Sequence, residues 1–171
     1  MNDLISQFRI VTSEEAGMLP VYAAEIQPRI EATEQYKGEC DKSLCEAERD
    51  YGTFVAAALD AVVIQQWTST DWYHGDIAFI LKKGEWFGFM PFWFGSCPGC
   101  DLLQGVPLHD FNEWEELLDI MLSGTRWAQS LAALCGYLLT RDWTVAPTVS
   151  ELKGDIVKWA AMKFAMATAG D

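Results

Sequence analysis

Basic residues are scarce in this chain of 171 residues, which has 12 Lys and Arg against 25 Asp and Glu and a formal net charge of −13. A protein that binds nucleic acid neutralises phosphates with Lys and Arg, so this balance argues against direct nucleic-acid binding. The acidity has two interpretations. It keeps a domain rich in aromatic residues soluble, or it forms a surface that engages a basic, nucleic-acid-binding partner.

The chain also lacks a long hydrophobic run and a cationic leader. No apolar stretch approaches the roughly 18 residues that a membrane-spanning helix needs. The first residues, Met1-Asn2-Asp3-Leu4, do not have the basic start of a signal peptide. The number of cysteines, five, is odd, which argues against a disulfide scaffold. We therefore expect a cytoplasmic protein without membrane association.

Recognisable signatures of catalysis are missing from the sequence. Its two histidines, His74 and His109, belong to neither an HxxxH nor an HExxH pattern. No serine lies in a nucleophile elbow, and no glycine-rich loop has the spacing that binds phosphate. These absences favour a non-enzymatic protein.

The most informative stretch is a pair of apolar runs, Ile77–Leu81 and Trp86–Phe94, on either side of the turn-forming residues 82–85. Such runs around a glycine-containing break predict a β-hairpin. In the second run, aromatic residues fall on both faces of an alternating strand. Either helices cover both faces, or one aromatic face is exposed as a docking patch.

Helical periodicity precedes and follows the hairpin. Apolar residues three and four positions apart predict one helix from Ser43 to about Gln66 and another that is capped by Asn112 and Glu115. Two shorter helical patterns follow, and their predicted core positions include Leu131, Leu134, Cys135, Leu138, Leu139, Leu152, Ile156, Trp159, Ala160 and Phe164.

This order of elements is typical of an α+β fold, in which several α-helices pack on one face of a short antiparallel sheet. No internal repeat or low-complexity linker divides the chain. We therefore predict a single globular domain. Residues 1–70 would be a helical N-terminal addition, and residues 71–171 would form the core of hairpin and helices.

Two cysteine pairs have spacings found among metal ligands, Cys40 with Cys45 and Cys97 with Cys100. A structural zinc site needs four soft ligands in tetrahedral reach, so zinc is the candidate cofactor. A CxxC pair can also perform thiol redox chemistry, although Asp101 beside it disfavours a thiolate. In a third interpretation the glycines and proline form a tight turn and the cysteines are small apolar fillers. All three interpretations stay open.

The string Gly95-Ser96-Cys97-Pro98-Gly99-Cys100-Asp101 after the hairpin, with Tyr73-His74-Gly75-Asp76 before it and Trp127 after it, resembles a group of small proteins from phages and other mobile elements. The likeness spans about residues 72–143. This chain has Pro98 where serine is commoner in that group. The resemblance implies a phage or mobile-element origin, and hence a bacterial host cytoplasm, but no particular activity.

These observations predict a non-enzymatic acidic protein that binds a host protein. It would inhibit a host defence complex, of the CRISPR or restriction kind, by occupying a basic nucleic-acid-binding surface. The predicted contact residues are the acids of one helix, namely Glu113, Glu115, Glu116 and Asp119, and the acidic window at residues 31–50 is a second candidate surface. The alternative is a small zinc- or thiol-dependent enzyme centred on Cys97 and Cys100.

Overall fold

The computed structural model of the chain describes residues 9–33, 36, 51–69, 74–95, 106, 109–144 and 149–169. Within these ranges the elements follow one another as α1 (Ala23–Glu31), α2 (Tyr51–Leu59), β1 (Val62–Thr68), β2 (His74–Lys83), β3 (Trp86–Gly95), α3 (Phe111–Gly124), β4 (Arg126–Ala128), α4 (Leu131–Thr140) and α5 (Lys153–Thr168). The strands form one antiparallel sheet in the order β1-β2-β3-β4. The predicted α+β fold class is confirmed.

Strands β2 and β3 form the predicted hairpin, and they are longer than the two apolar runs alone indicated. Their pairing extends from His74 and Gly95 to Lys83 and Trp86, so the connection is a turn of two residues. The first of these, Gly84, has a φ of 56°, a conformation that costs glycine little and strains other residues. The tight turn fixes the strand register, and the register assigns each aromatic side chain to a face.

The helix predicted to run to about Gln66 ends earlier, and this prediction was wrong. Helix α2 stops at Leu59, and the chain enters strand β1 at Val62. Asp60 has a φ of 51°, and the Ala61 N–H donates to the Ala56 carbonyl at 2.9 Å, which is the bond pattern of a Schellman helix end. The β-branched run that follows favours a strand, although its spacing continues the apolar rhythm of the helix.

Helices cover both faces of the sheet, which confirms the first interpretation of the hairpin and corrects the expectation that they would pack on one face only. One face carries Ile77, Phe79, Leu81, Met90 and Phe92, which share a core with buried residues of α1, α2 and α3. The opposite face carries Ala78, Ile80, Phe89 and Ala128, which pack with buried residues of α4 and α5. The apolar character of both faces of the hairpin follows from this three-layer arrangement.

Residues from the first part of the chain belong to the same core. The buried residues Ile26 of α1 and Phe54 of α2 pack in one cluster with the buried residues of α3, and β1 is a full member of the sheet. Further upstream, Val11 exchanges two backbone hydrogen bonds of 2.9 Å with Trp127 of β4. Described residues from both sides of position 70 therefore share the hydrophobic cluster on this face of the sheet.

Candidate functional site

The four cysteines of the predicted metal site, Cys40, Cys45, Cys97 and Cys100, lie outside the described residues. The zinc, redox and turn interpretations therefore stay predictions. Among the described residues, no group of three or more His, Cys, Asp or Glu side chains is placed to hold a metal ion.

The remaining cysteine, Cys135, is fully buried in the core between the sheet and helices α4 and α5. Burial raises the pKa of its thiol to about 11, because a thiolate is poorly solvated among apolar side chains. The thiol is therefore protonated near neutral pH. The prediction that Cys135 lies on a core-facing helical stripe is confirmed.

Helix α3 carries the predicted contact residues, and its cap differs from the prediction. The N-cap is Asp110, whose carboxylate accepts a hydrogen bond of 3.2 Å from the Glu113 N–H. Asn112, the predicted cap, is exposed within the first turn of the helix. The helix begins two residues earlier than predicted, because Asp is as good a cap as Asn and the apolar residue Phe111 follows Asp110.

The buried face of α3 consists of Trp114, Leu117, Leu118, Met121 and Leu122, as the helical spacing predicted. This face packs against the sheet and against α1. Because the opposite side of an amphipathic helix faces solvent, the packing determines which acids are available to another molecule.

Glu115 already has a partner within the protein. Its carboxylate accepts a hydrogen bond of 2.6 Å from the backbone N–H of Ala23, the first residue of α1. The residue in the cap position of α1, Tyr22, makes no side-chain cap of its own. Glu115 therefore replaces the missing cap, and its negative charge lies at the positive end of the α1 dipole.

Glu113, Glu116 and Asp119 are exposed and follow one another at intervals of three residues, so they lie on one side of α3. We call these three residues the acidic face. None of them forms an ion pair or a side-chain hydrogen bond with a described residue, and the one salt bridge among the described residues joins Arg9 to Glu15. Beside them, Ile120 has 55% of its surface exposed. With respect to the described residues, the acidic face is thus a strip of negative charge without an ion-pair partner, and it has an apolar neighbour. Most of the second candidate surface, residues 31–50, lies outside the described residues.

A cavity of about 620 Å³ opens next to the acidic face, where β3 extends beyond its pairing with β4. Its lining includes Trp93, Ile120, Ser123, Arg126, Tyr137 and Arg141. Among the aromatic side chains of the second apolar run whose exposure the structure describes, Trp93 is exposed, with 44% of its surface accessible. Phe89 and Phe92 are buried under the helices of the two faces, so a docking role for this run stays a prediction that concerns Trp93.

Arg141 lies in an aromatic cage in this cavity. Its guanidinium carbon is 4.4 Å from the ring centre of Trp143, 5.1 Å from that of Phe89 and 5.6 Å from that of Tyr137. Sequence reasoning missed this residue, because the cage joins one strand, one helix and the loop that follows the helix. The only local signal was an arginine two residues before a tryptophan, in Arg141-Asp142-Trp143.

The described residues thus define a three-layer α+β protein with an acidic helix face and an arginine-lined cavity. No protein-family model matches the chain, and no curated protein or solved structure matches it either.

None of the helices in the described ranges combines the length and apolar character that crossing a bilayer requires.

Proposed function

We propose that the protein is a non-enzymatic binding protein of a phage or mobile element. Its acidic face engages a basic, nucleic-acid-binding surface of a host protein in the bacterial cytoplasm, and the bound host protein belongs to a defence complex of the restriction or CRISPR kind. The observation that carries this proposal is the uncompensated charge of Glu113, Glu116 and Asp119 on the exposed side of α3.

The spacing of these charges suits a surface that otherwise binds phosphates. Successive members of the acidic face are separated by three residues, or about 4.5 Å along the helix axis. Phosphates of one DNA strand follow one another at about 3.4 Å along the duplex axis. A basic channel that is complementary to a phosphate row therefore meets a comparable row of carboxylates on α3.

The acidic face is also rigid, which favours binding. The opposite side of α3 is anchored in the core by Trp114, Leu117 and Leu118, and its first turn is capped by Asp110. A partner therefore does not have to order this helix when it binds, and the entropic cost of association is smaller than for a flexible acidic tail. The exposed Ile120 adds apolar contact area beside the charges.

The proposal is tested by recovering host proteins on the immobilised protein at low salt and again at high salt. We expect a stoichiometric partner that binds nucleic acid, that dissociates at high salt, and that is displaced by an excess of duplex DNA or guide RNA. A partner that remains bound in the presence of saturating nucleic acid would contradict the proposal, as would the absence of any stoichiometric partner at low salt.

A further inference from the structure

Among the described residues, the guanidinium of Arg141 has no acidic partner, although acidic residues outnumber basic ones by 25 to 12 in the full sequence. It forms no ion pair or side-chain hydrogen bond with any described residue, and its Nε atom is buried without a hydrogen-bond partner. Arginine has five N–H donors and is rarely buried unless it is paired. An arginine left in this state in an acidic protein has donors that are available to another molecule.

The aromatic cage holds Arg141 but does not satisfy its donors. The rings of Phe89, Tyr137 and Trp143 stabilise the cation through their faces. Arg141 is also the C-cap residue of α4, where the helix dipole favours a positive charge. Neither interaction supplies the oxygen acceptors that a guanidinium normally binds, so the cage orients the group and leaves its hydrogen bonds unmade.

A second arginine faces the same cavity. Arg126 is held by hydrogen bonds from its Nη1 to the carbonyl oxygens of Thr125, at 2.9 Å, and Ser123, at 3.3 Å. Burial, and to a smaller extent the positive charge of Arg126, lower the pKa of Arg141. Two cations that line one cavity repel each other, and an anion bound between them would offset this repulsion.

The acid that lines the cavity, Asp142, has one of its two carboxylate oxygens engaged elsewhere. Asp142 accepts hydrogen bonds from the backbone N–H of Thr144 at 2.8 Å and from its hydroxyl at 2.6 Å. Because one carboxylate oxygen receives both of these bonds, Asp142 is turned toward the following loop. Among the described residues, no other carboxylate lines the cavity to neutralise the arginines.

We propose that this cavity is a binding site for a small organic anion that carries a carboxylate or a phosphate on a flat apolar group. Arg126 and Arg141 bind the anionic head, and Trp93 and Ile120 contact the apolar body. The volume of about 620 Å³ lies within the usual range for small-molecule sites, and it is much larger than an inorganic ion needs. Arginine is suited to this role because its planar fork matches both carboxylate and phosphate oxygens.

Calorimetric titration of the purified full chain with phenyl phosphate and benzoate tests the site. Inorganic phosphate and benzyl alcohol are the comparison probes, since each lacks one half of the proposed ligand. We expect saturable binding of at least one aromatic anion with a stoichiometry of about one, and binding of each comparison probe that is about tenfold weaker or more. Equal binding of inorganic phosphate or of benzyl alcohol would overturn the proposal, and so would the absence of aromatic anion binding at millimolar concentration.

Matched variants connect the binding to the two arginines. Arg141→Lys keeps the positive charge and removes the fork, and Arg126→Gln removes the second cation from the rim of the cavity. Each is expected to weaken binding of the aromatic anion by about tenfold or more. Arg9→Gln is the control, because Arg9 is exposed, is paired with Glu15 and is not one of the described residues that line the cavity. Circular dichroism checks that each variant is folded, and unchanged binding by folded Arg126→Gln would contradict the assignment. This result is independent of host-protein binding by the acidic face.

Discussion

The indole ring of Trp127 lies directly against the backbone of Gly88, the residue opposite it in the β3–β4 ladder. A Cβ atom on Gly88 would stand 2.6 Å from Cζ3 and 2.7 Å from Cε3 of that ring. The ring cannot easily shift, because its N–H donates to the buried hydroxyl of Ser13 at 2.9 Å, and that hydroxyl donates to the Leu122 carbonyl at 2.6 Å. This contact connects the N-terminal segment, the sheet edge and helix α3.

Gly88→Ala is therefore expected to destabilise the protein. The added methyl group overlaps a buried aromatic ring, and overpacking of this kind costs about 1–3 kcal/mol. The free energy of unfolding from urea denaturation measures the effect. Gly154→Ala is the matched control, since a Cβ there has no heavy atom within 4 Å and lies in the first turn of α5. The control is expected to be neutral or slightly stabilising, and equal losses in both variants would contradict the packing account.

Glu115→Ala is expected to lower stability without weakening partner binding. It removes the carboxylate that caps α1 through the Ala23 N–H, and the loss of a helix cap costs about 1 kcal/mol. Glu116→Ala, one residue further along the same helix and exposed, is expected to change the free energy of unfolding by less than about 0.5 kcal/mol. Urea denaturation of both variants checks the difference. Similar stabilities would show that the Glu115 contact does not stabilise α1.

Because burial raises the pKa of the Cys135 thiol, the protein is expected to lose stability at alkaline pH. The folded state holds its thiol pKa at about 11, above the ordinary value of 9.0. The protonated thiol is favoured in the fold, so its contribution is complete below pH 9 and is lost as the pH rises from 9 toward 11. The contribution is on the order of 1 kcal/mol after allowance for solvent screening. The urea midpoint of unfolding should decrease more between pH 9 and pH 11 in the natural protein than in Cys135→Ala. An equal decrease in the two proteins would contradict the assignment.

The cysteine pairs have no cofactor role in the proposed function, so the purified protein is expected to contain far less than one zinc ion per chain. Elemental analysis measures the metal content directly. Cys97→Ser is expected to keep the natural stability and partner binding. A content of about one zinc per chain that is lost in Cys97→Ser would instead establish the metal-site alternative, because removal of one ligand opens a tetrahedral site.

The sequence predicted the hairpin and the buried face of α3 because each has a clear local pattern. Two short apolar runs on either side of a glycine-containing break fit a hairpin, and the spacing of Trp114, Leu117 and Leu118 fits one face of a helix. Strand β1 was missed for an equally specific reason. Val62 and Val63 continue the helical spacing of Phe54 and its neighbours, and the stop is an aspartate in the left-handed conformation where glycine is usual.

The candidate site was only partly predictable from the sequence. The acids of α3 are adjacent in the chain, so their common face follows from helical geometry alone. The arginine-lined cavity depends on tertiary structure, since Arg126 belongs to β4, Arg141 to the end of α4, and Phe89 to β3. No local pattern joins these residues. The capping role of Glu115 was hidden for the same reason, because its partner Ala23 lies 92 residues earlier in the chain.

The central claim is that the acidic face of α3 binds a basic nucleic-acid-binding surface, and charge-matched variants test it most directly. Glu116→Gln with Asp119→Asn neutralises two exposed acids of the face, and it leaves Glu113 in the first turn, where its charge also stabilises the helix. Glu14→Gln with Glu85→Gln neutralises two exposed acids elsewhere and changes the net charge equally. The measurement is the Kd of the complex between each variant and the recovered host protein, at one fixed low salt concentration. We predict that the first pair weakens binding about tenfold and the second by less than about twofold. Equal effects of the two pairs, or no effect of the first, would contradict the claim.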